Sequence, residues 1–341
     1  MKAGRILGIV VAAGILFGCS FPTMQEPTPA PTSADWLAAT LTAIAPAQPS
    51  PSPAPTETPL PPSPTISPHP WGKIVFTCRL LTEPPDQLCI MNADGSGYRR
   101  ITFADTIEHY YPSLSPDGTS VVFSSDRTGV YEIYEMELSV GIPKQLTNHP
   151  IESYAPEISP DGISIVFAAN ATGFSTIWLM NRDGGNPHQV FGMDEKDCVD
   201  PTWSPDGTRI LFAAGVGTDK QLFTITPEGS DPRLVSESFR TRGRSDWSAD
   251  GTIIAAYSWL PPDFEIFFMN PDGSNLRQMT FSGRDLAPSF SPDSQWVVYT
   301  SYGGSSEDPN ACEIYIMRID GSQNTRLTYN SYCDWQPRWG P

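Results

Sequence analysis

The sequence predicts an all-β fold of six four-stranded antiparallel sheets set in a closed ring. Three observations predict it. First, one phrase recurs: "SPDGTSVVF" from Ser115, "SPDGISIVF" from Ser159, "SPDGTRILF" from Ser204, "SADGTIIAAY" from Ser248 and "SPDSQWVVY" from Ser291. The steps are 44, 45, 44 and 43 residues. Second, each phrase holds the same place among short β-rich runs. Third, the two ends of the repeat region are part-units that complete each other.

Taken in chain order, the first element is a targeting signal. Lys2 and Arg5 form a positive start, and Ile6 to Gly18 is an apolar run of 13 residues. That is too short for a helix to cross ~30 Å of hydrocarbon. It ends in "LFGC", which resembles the lipobox of bacterial lipoproteins. The resemblance implies that residues 1–18 are removed and that Cys19 carries lipid. Acyl chains anchor firmly when two or three are present, at ~0.8 kcal/mol per buried methylene.

Residues 20–70 hold 15 of the 36 prolines, interleaved with Ser, Thr and Ala. Such a stretch has too little apolar surface to offset its conformational entropy, and proline biases it toward extended polyproline II. Together with Cys19 it reads as a stalk, 19–70. One island, "SADWLAATLTAIA", places Leu37, Leu41 and Ile44 at helical spacing.

The folded part is 71–341, with 19 basic and 35 acidic residues. Residues 72–102 match strands two, three and four of a repeat unit and lack strand one. Each full unit then has a strand before the Ser-Pro-Asp-Gly turn, a strand after it, and a third run such as "YEIYEM" or "FEIFFM". An Asp-Gly-Ser-like turn and a short closing strand follow. Pro presets φ, Asp caps the backbone and Gly accepts positive φ, so Asp117, Asp161, Asp206, Asp250 and Asp293 read as turn formers rather than ligands. Four strands per ~44 residues, repeated, is the pattern of a β-propeller. The C-terminal "WQPRWGP" carries Pro337 and Trp339 in the places of Pro201 and Trp203. It supplies the missing inner strand of the first blade, which gives six blades closed by pairing the chain ends.

These repeats resemble the TolB-type, WD-like propeller family. The pattern P-x-[W/F]-SPDG-x-x-[I/V/L]-x-[F/Y] is matched at Pro201–Phe212, and I-[W/Y/F]-x-M-x-x-DG at Ile177–Gly184. The resemblance covers 71–341 and implies the fold. The α/β domain that precedes the propeller in TolB-type proteins has no counterpart in the sequence; a signal and a stalk stand in its place. The motif residues are turn and core residues, so the resemblance says little about function.

The net charge of −17 argues against nucleic acid, which needs a basic footprint. No G-x-S-x-G, H-E-x-x-H, P-loop or Rossmann glycine pattern is present, so no catalytic residue is assigned and no cofactor is called for. Metal chemistry rests on His109 and His149, with Glu108 and Glu152 nearby; exposed loop histidines are the simpler reading, and no metal is assigned. With Cys19 lipidated, five cysteines remain, in an oxidising compartment. Cys312 ends a second-to-third-strand loop and Cys333 lies in the crossing after its own blade, on the same side of the ring, which predicts a Cys312–Cys333 bond. Cys78 and Cys89 flank one hairpin, at an offset not ideal for direct neighbours, and are a second candidate pair. Cys198 is left as a free thiol.

The Ser-Pro-Asp-Gly and Asp-Gly-Ser turns fall on one face and are nearly identical. The crossings between blades, on the other face, differ: "TIEHYYP", "PIESYAP", "EKDCVDP", "RTRGRSD", "GRDLAP", "YCDWQP". Loops that vary on a fixed scaffold are where recognition residues sit. The expected binding face is an acidic, aromatic arc of Glu108, Tyr110, Glu152, Tyr154, Asp197 and Asp200. Arg240, Arg242 and Arg244 form a basic patch beside it, and Trp335 joins the tyrosines as an anchor. The function expected is a lipid-anchored, extracytoplasmic, monomeric binding module for an envelope protein, peptide or glycan. The alternative is a metal-assisted polysaccharide lyase or hydrolase on the same face.

Overall fold

The computed structural model describes residues 69–79, 85–104, 106–148, 151–171, 173–260, 263–302, 312–330 and 332–341. The signal peptide, Cys19, the helical island and all of the stalk before His69 lie outside the described residues, as does His149.

Among the described residues, 24 strands, β1 to β24 in chain order, form six four-stranded antiparallel sheets. Blade one joins β1 (Lys73–Cys78), β2 (Gln87–Asn92) and β3 (Arg99–Arg100) to β24 (Asp334–Gly340), in the order β24-β1-β2-β3. Lys73 pairs with Gly340 and Ile74 with Trp339, so the C-terminal strand does supply the inner edge of the first blade. Blades two to six are consecutive quartets spanning 109–145, 153–191, 197–234, 246–278 and 285–326. Their inner strands are β4 (His109–Leu114), β8 (Ser153–Ile158), β12 (Asp197–Trp203), β16 (Asp246–Trp247) and β20 (Asp285–Phe290). Each inner strand touches the next, and β20 touches β24, which closes the ring.

The repeated phrase has a local cause. The Ser115 hydroxyl donates to Asp117 at 2.5 Å and accepts the Ser120 amide at 3.0 Å, while Asp117 accepts the Thr119 amide at 3.1 Å. The Ser-to-Asp bond recurs at Ser159, Ser204, Ser248 and Ser291, at 2.5–2.6 Å. These bonds hold the Asp117 carboxyl down at about 2, the Ser115 hydroxyl contributing most. A second clamp joins the blade's outer strands. Thr102, Thr147, Thr280 and Thr328 accept the amides of Leu88, Ile133, Ile266 and Ile314 at 2.8–2.9 Å. Three of these threonines also donate to Glu132, Glu265 and Glu313.

The core lies between blades. Ile74, Phe76 and Met91 of blade one pack with Trp296, Val298, Ile314 and Ile316 of blade six, and comparable buried clusters fill the other junctions. A blade is apolar on both faces and is buried only by its neighbours. Two disulfides are present among the described residues. Cys78–Cys89 joins a diagonal pair, since Cys89 faces Phe76 and Cys78 faces Gln87. Cys312–Cys333 ties blade six to the segment leading into β24. Cys198 is unbonded and buried.

Five inner strands share an irregularity. The register shifts just before the motif proline. Tyr111, Ala155, Asp200, Ala287 and Gln336, each preceding that proline, have φ of 52–54°. Side chains rarely adopt this conformation, so together with the register shift it marks a β-bulge. Blade five departs: Ser245 stands where the others have proline, Arg244 lacks the positive φ, and β16 is only two residues long.

Candidate functional site

The bulge register aligns the six inner strands. Two residues before the proline stand Trp335, Tyr110 and Tyr154 in blades one, two and three. The same place in blades four, five and six holds Val199, Gly243 and Leu286. The crossing face of the ring is therefore aromatic on one half and small or aliphatic on the other.

On the aromatic half is a cavity of ≈ 420 Å³. Tyr110, Tyr111, Tyr131, Tyr154 and Trp335 form its apolar lining. Trp335 meets the Tyr110 ring edge-to-face at 5.6 Å, Tyr131 lies 5.8 Å from Tyr110, and Tyr111 lies 5.9 Å from Tyr154. The rings are fixed by their hydroxyls. Tyr110 donates to Asp86 at 3.1 Å, and Asp86 is held by Arg79 at 2.7 and 3.0 Å. Tyr131 donates to Glu108 and Tyr154 to Ser175, both at 2.6 Å. Burial first, then the Asp86 and Glu108 carboxyls, push the Tyr110 hydroxyl well above its ordinary range; burial does the same at Tyr131 and Tyr154. The hydroxyls thus remain donors at any physiological pH. Ser124, Glu152, Asn170, Ser175 and Gln336 complete the wall.

The structure brings Tyr110, Glu152, Tyr154 and Trp335 together, with Glu108 behind Tyr131. Asp197 is half-buried and accepts the Ser175 amide at 3.0 Å, just outside the lining. The basic patch is not assembled as expected. Arg240 pairs with Asp219 at 2.9 Å, and Arg242 lies over the Phe264 ring at 5.9 Å. Arg244 is not on the face at all: it is buried, and crosses from blade five to donate to the Gln336 and Pro112 carbonyls at 3.1 and 3.0 Å. Asp200 occupies the same ring of positions, one residue deeper than Tyr110. At Asp200 the bulge turns the residue before the proline inward; Arg244, with neither bulge nor proline, is held inside by the Gln336 and Pro112 carbonyls that it bonds. Blade five lacks the proline that marks the register, so the sequence does not show which step of the strand Arg244 holds.

Below this ring, Arg338 bridges Glu157 at 3.1 Å and Asp246 at 2.9 Å. Burial raises Glu157 and Asp200, and lowers Arg244 to about 9 with help from Arg338. Burial also opposes the Arg338 charge, but Asp246 and Glu157 outweigh it and raise the group. Beyond Arg338, the Ser-Pro-Asp-Gly face opens into a separate cavity of ≈ 250 Å³, edged by Pro116, Pro160, Pro205 and Pro292.

His109 is a correction to the reading as an exposed loop histidine. It is the first residue of β4, wholly buried, edge-on to Phe123 at 5.3 Å. Burial, then Arg127 and Arg100, lower its pKa to about 3. Among the described residues no three His, Cys, Asp or Glu side chains are grouped to hold a metal ion. Sequence reasoning missed Tyr111, Ser124, Tyr131, Asn170, Ser175 and Gln336, which come from first, second and third strands and one loop; only the blade register points to them.

A family profile described as TolB beta propeller domain matches residues 143–341. An uncharacterized protein of Agrobacterium fabrum is 34% identical over 59 residues, 17% of this chain and 18% of that protein's length. Among solved structures, TolB from Acinetobacter baumannii superposes with a TM-score of 0.67 at 24% identity, covering 79% of this chain and 67% of that one. A putative TolB from Agrobacterium tumefaciens gives 0.59 at 20% identity, covering 80% of this chain and 99% of that one. At these identities the structural likeness shows the fold alone.

Proposed function

The chain belongs to the TolB beta propeller domain family, and from that premise we propose that it is a non-catalytic binding module held at the bacterial cell envelope. Residues 1–18 are the signal, Cys19 carries the lipid, 19–70 is the spacer and 71–341 is the binding domain. The charged start, short apolar core and Gly18-Cys19 junction support the anchor. The two disulfides support an extracytoplasmic site. The partner is an envelope protein, peptide or glycan that meets the crossing face.

One observation carries the reading: three consecutive blades place an aromatic residue at the same step of the inner strand, around one cavity. Clustered Tyr and Trp, each with a polar tip, are typical recognition anchors. The test is capture of partners from solubilised envelope by the full chain. Tyr154→Ala combined with Arg242→Glu lowers capture at least tenfold without unfolding the chain; Asp272→Lys, on the opposite face, leaves it unchanged. Loss of capture in Asp272→Lys alone contradicts the assignment of the face.

A further inference from the structure

Two buried donors on the cavity wall have no partner. The Trp335 indole Nε1–H and the Ser124 hydroxyl are both shielded from solvent and unbonded. Ser124 is 0% exposed, and both residues line the aromatic cavity. A buried polar group left unsatisfied costs stability, and a site that carries such groups gains when a ligand satisfies them.

The rest of the wall narrows the ligand. Of its residues only Glu152 is acidic and none is basic, and Glu108 sits bonded behind Tyr131. An anionic ligand therefore finds no counter-charge on the wall. A cationic ligand fares little better. Glu152 is exposed at the rim, where water screens it, and the Tyr111 ring already carries the Arg244 guanidinium at 5.6 Å. What remains is a neutral ligand with apolar faces for the rings and edge groups that both donate and accept. A polyhydroxylated ring has that make-up: its C–H faces lie on aromatic rings, and its hydroxyls answer indole N–H, serine, asparagine and carboxyl groups alike.

We propose that the cavity over blades one to three binds a neutral carbohydrate ring, one unit of an envelope glycan. The Trp335 indole and the Ser124 hydroxyl, closed to solvent in the free chain, turn toward the cavity to bond its hydroxyls, and the tyrosines stack on its faces. The proposal rests on the crossing face being the binding surface. The experiment is titration of the full chain, followed by calorimetry, with neutral gluco-, manno-, galacto- and N-acetylated tetrasaccharides, and with a uronic-acid tetrasaccharide and lysine amide as charged probes. At least one neutral sugar binds, and the charged probes do not. Trp335→Phe keeps a ring and removes the donor; Ser124→Ala is the smaller change if the first misfolds. Each weakens sugar binding about tenfold. Binding of no neutral sugar, binding of a charged probe instead, or sugar binding that both variants leave intact overturns the proposal. If the sugars fail while Tyr154→Ala with Arg242→Glu still loses its captured partner, the carbohydrate assignment falls and the binding face stands.

Discussion

Asp334 opens the strand that closes the ring, and it is fully buried. Its carboxyl accepts the Asn330 amide at 2.7 Å, and its other oxygen has no partner. Burial, with a smaller contribution from Glu313, raises its pKa to about 8. The sign follows directly. Between the ordinary carboxylate range and about 8, the folded chain holds a proton that the unfolded chain has lost, so stability falls as pH rises across that window. Asp334→Asn keeps an acceptor for Asn330 and carries no titrating proton. Thermal melts are expected to coincide near pH 4 and to separate toward pH 8–9, the variant melting several degrees higher. A melting difference that is constant with pH contradicts the assignment. At this scale the sequence shows which aromatic residues share a step of the ring, because Tyr110, Tyr154 and Trp335 all stand two places before a proline and line one cavity. It could not place Arg244, whose blade has Ser245 instead.

The blade is a turn-driven element, and two turn glycines of blade four are needed for different reasons. Gly207 lies in the Ser-Pro-Asp-Gly turn of blade four at φ 70°, and a Cβ there would touch nothing within 4 Å. Gly229, in the turn between that blade's outer strands, has φ 75°, but a Cβ there would lie 1.8 Å from the Val190 carbonyl oxygen of blade three. Gly207→Ala is therefore expected to cost only the backbone term, about 1 kcal/mol. Gly229→Ala adds a clash with a neighbouring blade's main chain and costs several-fold more. Chemical denaturation of the two variants checks this; equal losses would mean that the blades do not meet at Gly229. Strand order and turn type were legible because Pro, Asp and Gly act locally. The threonine clamp and the positive-φ bulges were not, since each depends on the pairing register of strands within the blade, which no local residue pattern marks.

The whole molecule depends on one non-local event, the docking of β24 beside β1. Deleting Trp335 to Pro341 removes that strand, uncovers the blade-one and blade-six cluster around Phe76 and Trp296, and strips the cavity of Trp335. A scanning melt of this truncation is expected to show a large drop in Tm and loss of the single cooperative transition; a melt like that of the full chain would contradict closure. The six-fold architecture was readable because the repeat period and the split first blade are both written in sequence. The functional half of the ring was only partly readable, because a cavity is built from strands far apart in the chain: Ser124, Glu152 and Trp335 meet across more than 200 residues. The central claim is that the crossing face over blades one to three is where the protein binds. Hydrogen-exchange mass spectrometry of the full chain, free and with its captured partner, tests it most directly. The expected footprint is slowed exchange in 108–111, 152–155 and 334–336, with the Ser-Pro-Asp-Gly turns unchanged; protection confined to those turns, at 115–119, 204–208 and 291–295, would contradict it.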